Sequence, residues 1–159
     1  MTARSVSRAR GARRVREGAR VPSLVLLDAN VIFDLLLFRK PWYDDATAIF
    51  EAIEDERLHA VIAPHTVTTL WYILRRHSSD AIARSALRRL LSSLPVAPLD
   101  GNGMLRALAL GVADFEDACQ VVAAEGAGAD VIVTRDARHF KGSPIAVLTP
   151  AHLVARLGT

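Results

Sequence analysis

The run LVLLDANVIFDLLL, residues 24–37, limits the fold more than any other stretch of the chain. Its opening, Leu24 to Leu27, is uniformly apolar and short, the signature of a strand buried on both faces. Asp28 then breaks the run, followed by Asn30 and Asp34. An unpaired carboxylate is costly inside a strand of this kind, so the strand ends at Asp28. The same polar breaks exclude a membrane span, which needs about 20 consecutive apolar residues. With no small-residue cleavage site following, they also argue against a secretory signal.

The pattern recurs. LHAVIAP (58–64) reads as a second short strand closed by Pro64, PVAPL (95–99) as a weak third, DVIVTRD (130–136) as the clearest, and PIAVLTP (144–150) as the last. Segments of helical spacing separate them. Residues 41–56 place Trp42, Ala46, Ile49, Phe50 and Ile53 near one stripe, and Pro41 suits a first helical turn. Residues 65–77 align Val67, Leu70, Trp71 and Leu74. Residues 79–94 predict a helix capped by Ser79 or Asp80, and 101–113 another opened by a Gly/Asn turn. A helix over 114–129 frays into Gly126 and Gly128, and 150–157 closes the chain. Short apolar strands alternating with helices imply an α/β fold: a three-layer α/β/α sandwich around a short central parallel sheet.

A chain of 159 residues is long enough for one domain with its own core, and 51% hydrophobic against 23% charged residues is too apolar for a disordered protein. The net charge of +3 is unevenly spread. Seven arginines and one acid lie in residues 1–20, a tail of +6, which leaves the remainder at −3. The tail lacks apolar periodicity and is expected to be disordered, with residues 21–159 forming the domain. Two readings of it stay open: arginines that attract RNA phosphates, or a start site placed too early, with initiation near Val21. Cys119 is the only cysteine, which excludes an intramolecular disulfide and a multi-cysteine metal site and fits a cytoplasmic home.

In a parallel sheet, sites form beyond the carboxyl ends of the strands. Asp28 ends the first strand and Asp136 follows DVIV, while Asp114, Glu116 and Asp117 open the helix DFEDACQ. Each has a local explanation. Asp114 suits an N-cap, with Asp117 in a first turn that favours negative charge; Asp136 suits a turn or a short helix, and Asp28 a cap. Their joint placement asks for more. Two carboxylates about 5 Å apart repel by roughly 3 kcal/mol at an effective dielectric near 20, so a cluster of three calls for a cation. Oxygen ligands without clustered His or Cys point to Mg²⁺ or Mn²⁺. Such a site suits phosphodiester hydrolysis, where the ion activates a water and steadies the leaving oxygen.

LLDANVIFDLLL, DFEDA and VTRDARHF, in this order and spacing, resemble the PIN-domain ribonucleases, a group that includes the VapC-type toxins of bacterial toxin–antitoxin pairs. The resemblance spans roughly residues 21–157, and WYDDATAIFEAIE, TVTTLWYILRR and VLTPAHLVARL are similar to one prokaryotic subgroup. It implies strand order 3-2-1-4-5 and a Mg²⁺-dependent endoribonuclease. The implied partners are an RNA substrate, a cognate antitoxin and a second copy of the chain. By position, Asp28 matches the first metal-binding acid, Asn30 the residue that supports it, Asp117 the helix acid that also binds metal, and Asp136 the last acidic position. Thr134 matches the hydroxyl residue that lines the site. Asp114 and Glu116 are additional nearby acids, with Asp114 a further candidate metal ligand. The family also has a Glu early in the helix after the second strand. Here that place falls at Thr68 or Thr69, and Thr69 is retained as a supporting residue. A second reading follows from the substitution: a catalytically weak or inactive PIN module that binds RNA or a protein.

Arg135 and Arg138 flank Asp136 and are expected near the scissile phosphate. Arg75 and Arg76, with Arg84, Arg88 and Arg89, make a basic region on two successive helices, either a solvated face or an RNA track. His59, His65, His77, His139 and His152 show no metal spacing and read as surface or packing residues. A dehalogenase-like phosphatase also begins with a strand and an Asp. It wants a second Asp where Asn30 stands and a Lys before the last acids, whereas lysines occur only at 40 and 141.

Overall fold

The computed structural model describes residues 20–158; all but the last residue of the arginine-rich tail lies outside them. The sheet has four parallel strands, β1 (Leu24–Leu27), β2 (His59–Val61), β3 (Val131–Val133) and β4 (Ala146–Leu148), in the order β2-β1-β3-β4. Leu26 pairs with Val61 on one side and Ile132 on the other. All four strands therefore run to one carboxyl edge.

Alternation along the strands divides the core in two. Val25, Leu27, Val131 and Val133 face one side of the sheet, with α1 (Ala29–Leu36), α2 (Tyr43–Glu54), α3 (Pro64–His77), α4 (Asp80–Ser93) and α7 (Pro150–Leu157). Leu26 and Ile132 face the other, with α5 (Gly101–Ala109) and α6 (Phe115–Ala127). Leu26, Leu27, Ile32, Ile49, Leu70, Ile132 and Leu153 are all without exposed surface. Each such side chain contributes about 1.5–3 kcal/mol of transfer free energy. The three-layer α/β/α arrangement expected from the alternation is the one observed.

Local signals place most element ends. Ser79 caps α4, its hydroxyl accepting from the Ile82 N–H at 3.3 Å. Gly128 closes α6 at φ 71°, a conformation glycine adopts without a side-chain clash. Three readings are corrected. PVAPL is not a strand but a single parallel bridge, Ile62 to Val96, made by Ile62 N–H to the Pro95 carbonyl (3.1 Å) and Ala97 N–H to the Ile62 carbonyl (2.8 Å). Pro95 and Pro98 lack the N–H groups a longer ladder needs, yet the segment occupies the expected edge beside β2. The second helix begins at Tyr43, beyond Pro41, with Trp42 at its cap. The helix from Gly101 stops at Ala109, where Leu110 turns extended. Among the described residues no helix is long and apolar enough to cross a membrane.

Candidate metal centre at the carboxyl edge of the sheet

Asp28 follows β1 directly, and three side chains hold its carboxylate. Oδ2 accepts from Asn30 Nδ2 and from the Thr134 hydroxyl, each at 2.7 Å, and Oδ1 accepts from Gln120 Nε2 at 3.1 Å. Thr134, fully buried just past β3, is the hub of this network. Its Oγ1 donates to Asp28 and accepts from Asn30 Nδ2 (3.0 Å) and from the Asp136 N–H (3.1 Å). Asn30 Oδ1 in turn accepts from the Arg135 N–H at 3.3 Å. Asp28, Asn30, Thr134 and Asp136 thus meet through one hydrogen-bonded cluster drawn from two adjacent strand ends.

The helix acids approach from α6. Asp114 caps the helix, its Oδ1 accepting from the N–H groups of Glu116 (2.8 Å) and Asp117 (3.3 Å), which accounts for its position without a ligand. Asp117, with 15% of its side chain exposed, lies within electrostatic reach of Asp28. Burial, then the charges of Asp28, Asp114 and Glu116, push its carboxyl up to about 6, against a lowering by His139, whose Nδ1 lies 3.9 Å away. Glu116 is exposed at the rim. A carboxyl held so high is ionised at neutral pH only against an unfavourable surrounding, which a cation would relieve.

Three members of the neighbourhood were not singled out in the sequence as site residues. Gln120 is 2% exposed, and its Oε1 has no hydrogen-bond partner among the described residues. It stands three residues after Asp117, so it shares that helix face, which was the available signal. His65, second in α3, feels the charges of Glu116 and Asp28. Burial nonetheless holds its imidazole below the usual range, and its Nε2 is buried without a hydrogen-bond partner among the described residues. His139 is exposed and His65 half-buried, as surface and packing residues, and both lie beside the acids. Of the two threonines expected at the place of the family's Glu, Thr68 is exposed and donates to the His65 carbonyl at 2.8 Å, while Thr69 is half-buried.

The predicted basic residues separate. Arg138 is exposed beside His139 in the short 3-10 helix Ala137–Phe140. Arg135 turns inward to Asp34, with Nη1 3.2 Å from Oδ1. Arg75 and Arg76 occupy the last turn of α3, three turns from His65 or roughly 16 Å by helical rise. Arg75 pairs with Asp80 at 2.5 Å, and Arg76 Nη1 donates to the Tyr72 hydroxyl at 3.2 Å. The Trp71 ring carries the guanidinium groups of Arg75 and Arg84 at 5.4 and 5.0 Å, so a base could stack on it only by displacing them.

No three His, Cys, Asp or Glu side chains among the described residues form a closed metal-holding group. The donor set still fits Mg²⁺, which keeps several waters and is bound through one or two carboxylates rather than a full protein cage. Asp28 and Asp117 would supply two, and the high Asp117 carboxyl is the mark of charge that a cation would relieve.

Solved structures share the fold. The protein PAE2754 from Pyrobaculum aerophilum is 27% identical, with a TM-score of 0.55 over 90% of this chain and 94% of that one. VapBC2 from Rickettsia felis, bound to a DNA fragment from its promoter, is 15% identical, with a TM-score of 0.59 over 79% and 98%. DNA-bound VapBC from Salmonella typhimurium is 18% identical, with a TM-score of 0.58 over 79% and 97%. No curated protein matches the chain. The profile of the PIN domain matches residues 24–138, a span that includes Asp28, Asp117, Thr134 and Asp136, and the chain belongs to the PIN domain family.

Proposed function

We propose that the protein is a divalent-metal-dependent endoribonuclease, the toxin of a toxin–antitoxin pair. The observation that carries the reading is a carboxylate fixed by three donors, Asp28, beside a second, Asp117, pushed up to about 6. A bound Mg²⁺ or Mn²⁺ supplies an activated water and charge neutralisation for phosphodiester hydrolysis. The chain's own residues prepare the site. Asn30, Gln120 and Thr134 lock the Asp28 rotamer, and the Asp136 N–H on Thr134 Oγ1 brings the last acid to the same edge. Asp28 and Asp117 would hold the ion, Asp117 as the carboxylate that predominates above about pH 6. Arg138 and the α3 arginines, exposed and cationic, are candidates for the RNA backbone.

The PIN domain is a nuclease family, and several structural neighbours are toxin–antitoxin complexes, which supports an antitoxin as partner. A cytoplasmic location and a homodimer belong to the same reading. Purified protein is expected to cut RNA in Mg²⁺ or Mn²⁺, to stop with chelator, and to lose cleavage as Asp28→Asn or Asp117→Asn. Cleavage retained in both variants removes the mechanism. A second reading, a PIN module that binds RNA or a protein without cutting, draws on Thr68 and Thr69 standing where the family has Glu. Calorimetric titration separates the two, since such a module takes up neither ion specifically.

A further inference from the structure

Arg135 sits between two members of the acid network, yet its side chain leaves that network. Its guanidinium stacks 4.1 Å from the centre of the Trp42 ring and pairs with Asp34 at 3.2 Å. Asp34 has no exposed surface, and apart from this ion pair neither of its oxygens finds a hydrogen-bond partner among the described residues. Arg135 is itself only 20% exposed in its side chain, with Nε buried and without a hydrogen-bond partner among the described residues. Drawing the guanidinium out to an RNA phosphate would leave a buried carboxylate with no ion pair and only the field of Arg39, an unfavourable event. A solvent-screened phosphate contact offers less in return.

The backbone of the same residue is tied to the site. The Arg135 N–H donates to Asn30 Oδ1, and the next N–H, of Asp136, donates to Thr134 Oγ1. We infer that Arg135 is a positioning residue and not an RNA ligand: pinned between Asp34 on α1 and Trp42 at the start of α2, it holds the Thr134–Asp136 segment against Asp28. The consequence for metal binding rests on the function proposed above; the positioning itself does not.

Arg135→Gln and the double variant Asp34→Leu/Arg135→Met test this. Arg135→Gln is expected to lower the Tm by several degrees, because Asp34 loses its paired counter-charge and keeps only the field of Arg39. The double variant removes both charges and recovers most of that loss, as apolar replacements of buried pairs do. In the double variant, hydrogen exchange at the Asp136 amide is expected to rise at least about tenfold, and Mn²⁺ affinity to fall about 10–100-fold, the range for groups that orient metal ligands. RNA affinity by fluorescence anisotropy in chelator, and its salt dependence, stay at the wild-type values. A salt slope shallower by about one in the double variant would make Arg135 a phosphate contact and overturn the inference. Wild-type Asp136 exchange in the double variant overturns it as well, leaving a pair that only stabilises. If the wild-type protein takes up no Mn²⁺, the nuclease reading fails alone, and the exchange result still decides the role of Arg135.

Discussion

Asp117→Asn should stabilise the metal-free protein while removing its response to metal. The Asp117 carboxyl titrates at about 6 in the fold against 3.8 for a free aspartate. At about 1.4 kcal/mol per pH unit, that difference sets an upper bound of about 3 kcal/mol on the penalty for ionising it. Water at the rim screens part of this, so a gain of ~1–2 kcal/mol, or about 2–8 °C in Tm for a chain of this size, is expected at pH 7.5 in chelator. The sign follows from linkage. With the folded value raised, the wild-type protein loses stability as pH rises from about 4 to about 6, and the variant lacks that loss. The gain is therefore absent near pH 4 and complete above about pH 6.5. With Mn²⁺ at a hundred times its dissociation constant, the wild-type protein alone gains about 2.7 kcal/mol, and the order reverses. Thermal and urea melts of both proteins across pH 4–7.5, with chelator and with Mn²⁺, read this out. A variant less stable at pH 7.5 in chelator, a gain that does not change with pH, or equal Mn²⁺ stabilisation of both proteins refutes the reasoning.

Metal and proton compete for Asp117, so Mn²⁺ affinity by calorimetry should climb as pH rises through about 6 and level off above it; a flat profile from pH 5 to 8 excludes Asp117 as a ligand. Thr134→Val removes the hydroxyl shared by Asp28, Asn30 and the Asp136 N–H. It is expected to cost about 1–3 kcal/mol in urea unfolding and about 10–100-fold in metal affinity, whereas Thr69→Val should leave metal affinity within about threefold because Thr69 makes no contact in this network. Ile132→Ala, on a β3 residue with no exposed surface, should destabilise by about 2–5 kcal/mol without altering the pH dependence of Mn²⁺ binding.

What the chain determines locally is its rhythm. Alternating apolar runs and helical stripes specified β1, β2, β3, β4 and every helix except α1. Ser79, Asp114 and Gly128 marked their ends through caps that need only neighbours two to four residues away. The breaks at Asp28 and Asp136 were legible for the same reason, since a carboxylate cannot continue a buried strand. Eight-residue α1 escaped, because Asp28, Asn30 and Asp34 blur its stripe. Which acids meet, and what holds them, was decided only on folding. Gln120 reaches Asp28 across 92 positions and Thr134 reaches it across 106. The commitment of Arg135 to Asp34 and Trp42 depends on α1, α2 and the β3 edge packing together. PVAPL shrank to one bridge because ladder length depends on the partner's free N–H and C=O groups as well as on the segment's own composition. Periodicity and capping are short-range and survive in a linear reading, whereas burial, charge proximity and hydrogen-bond satisfaction come into being only when distant segments share a volume.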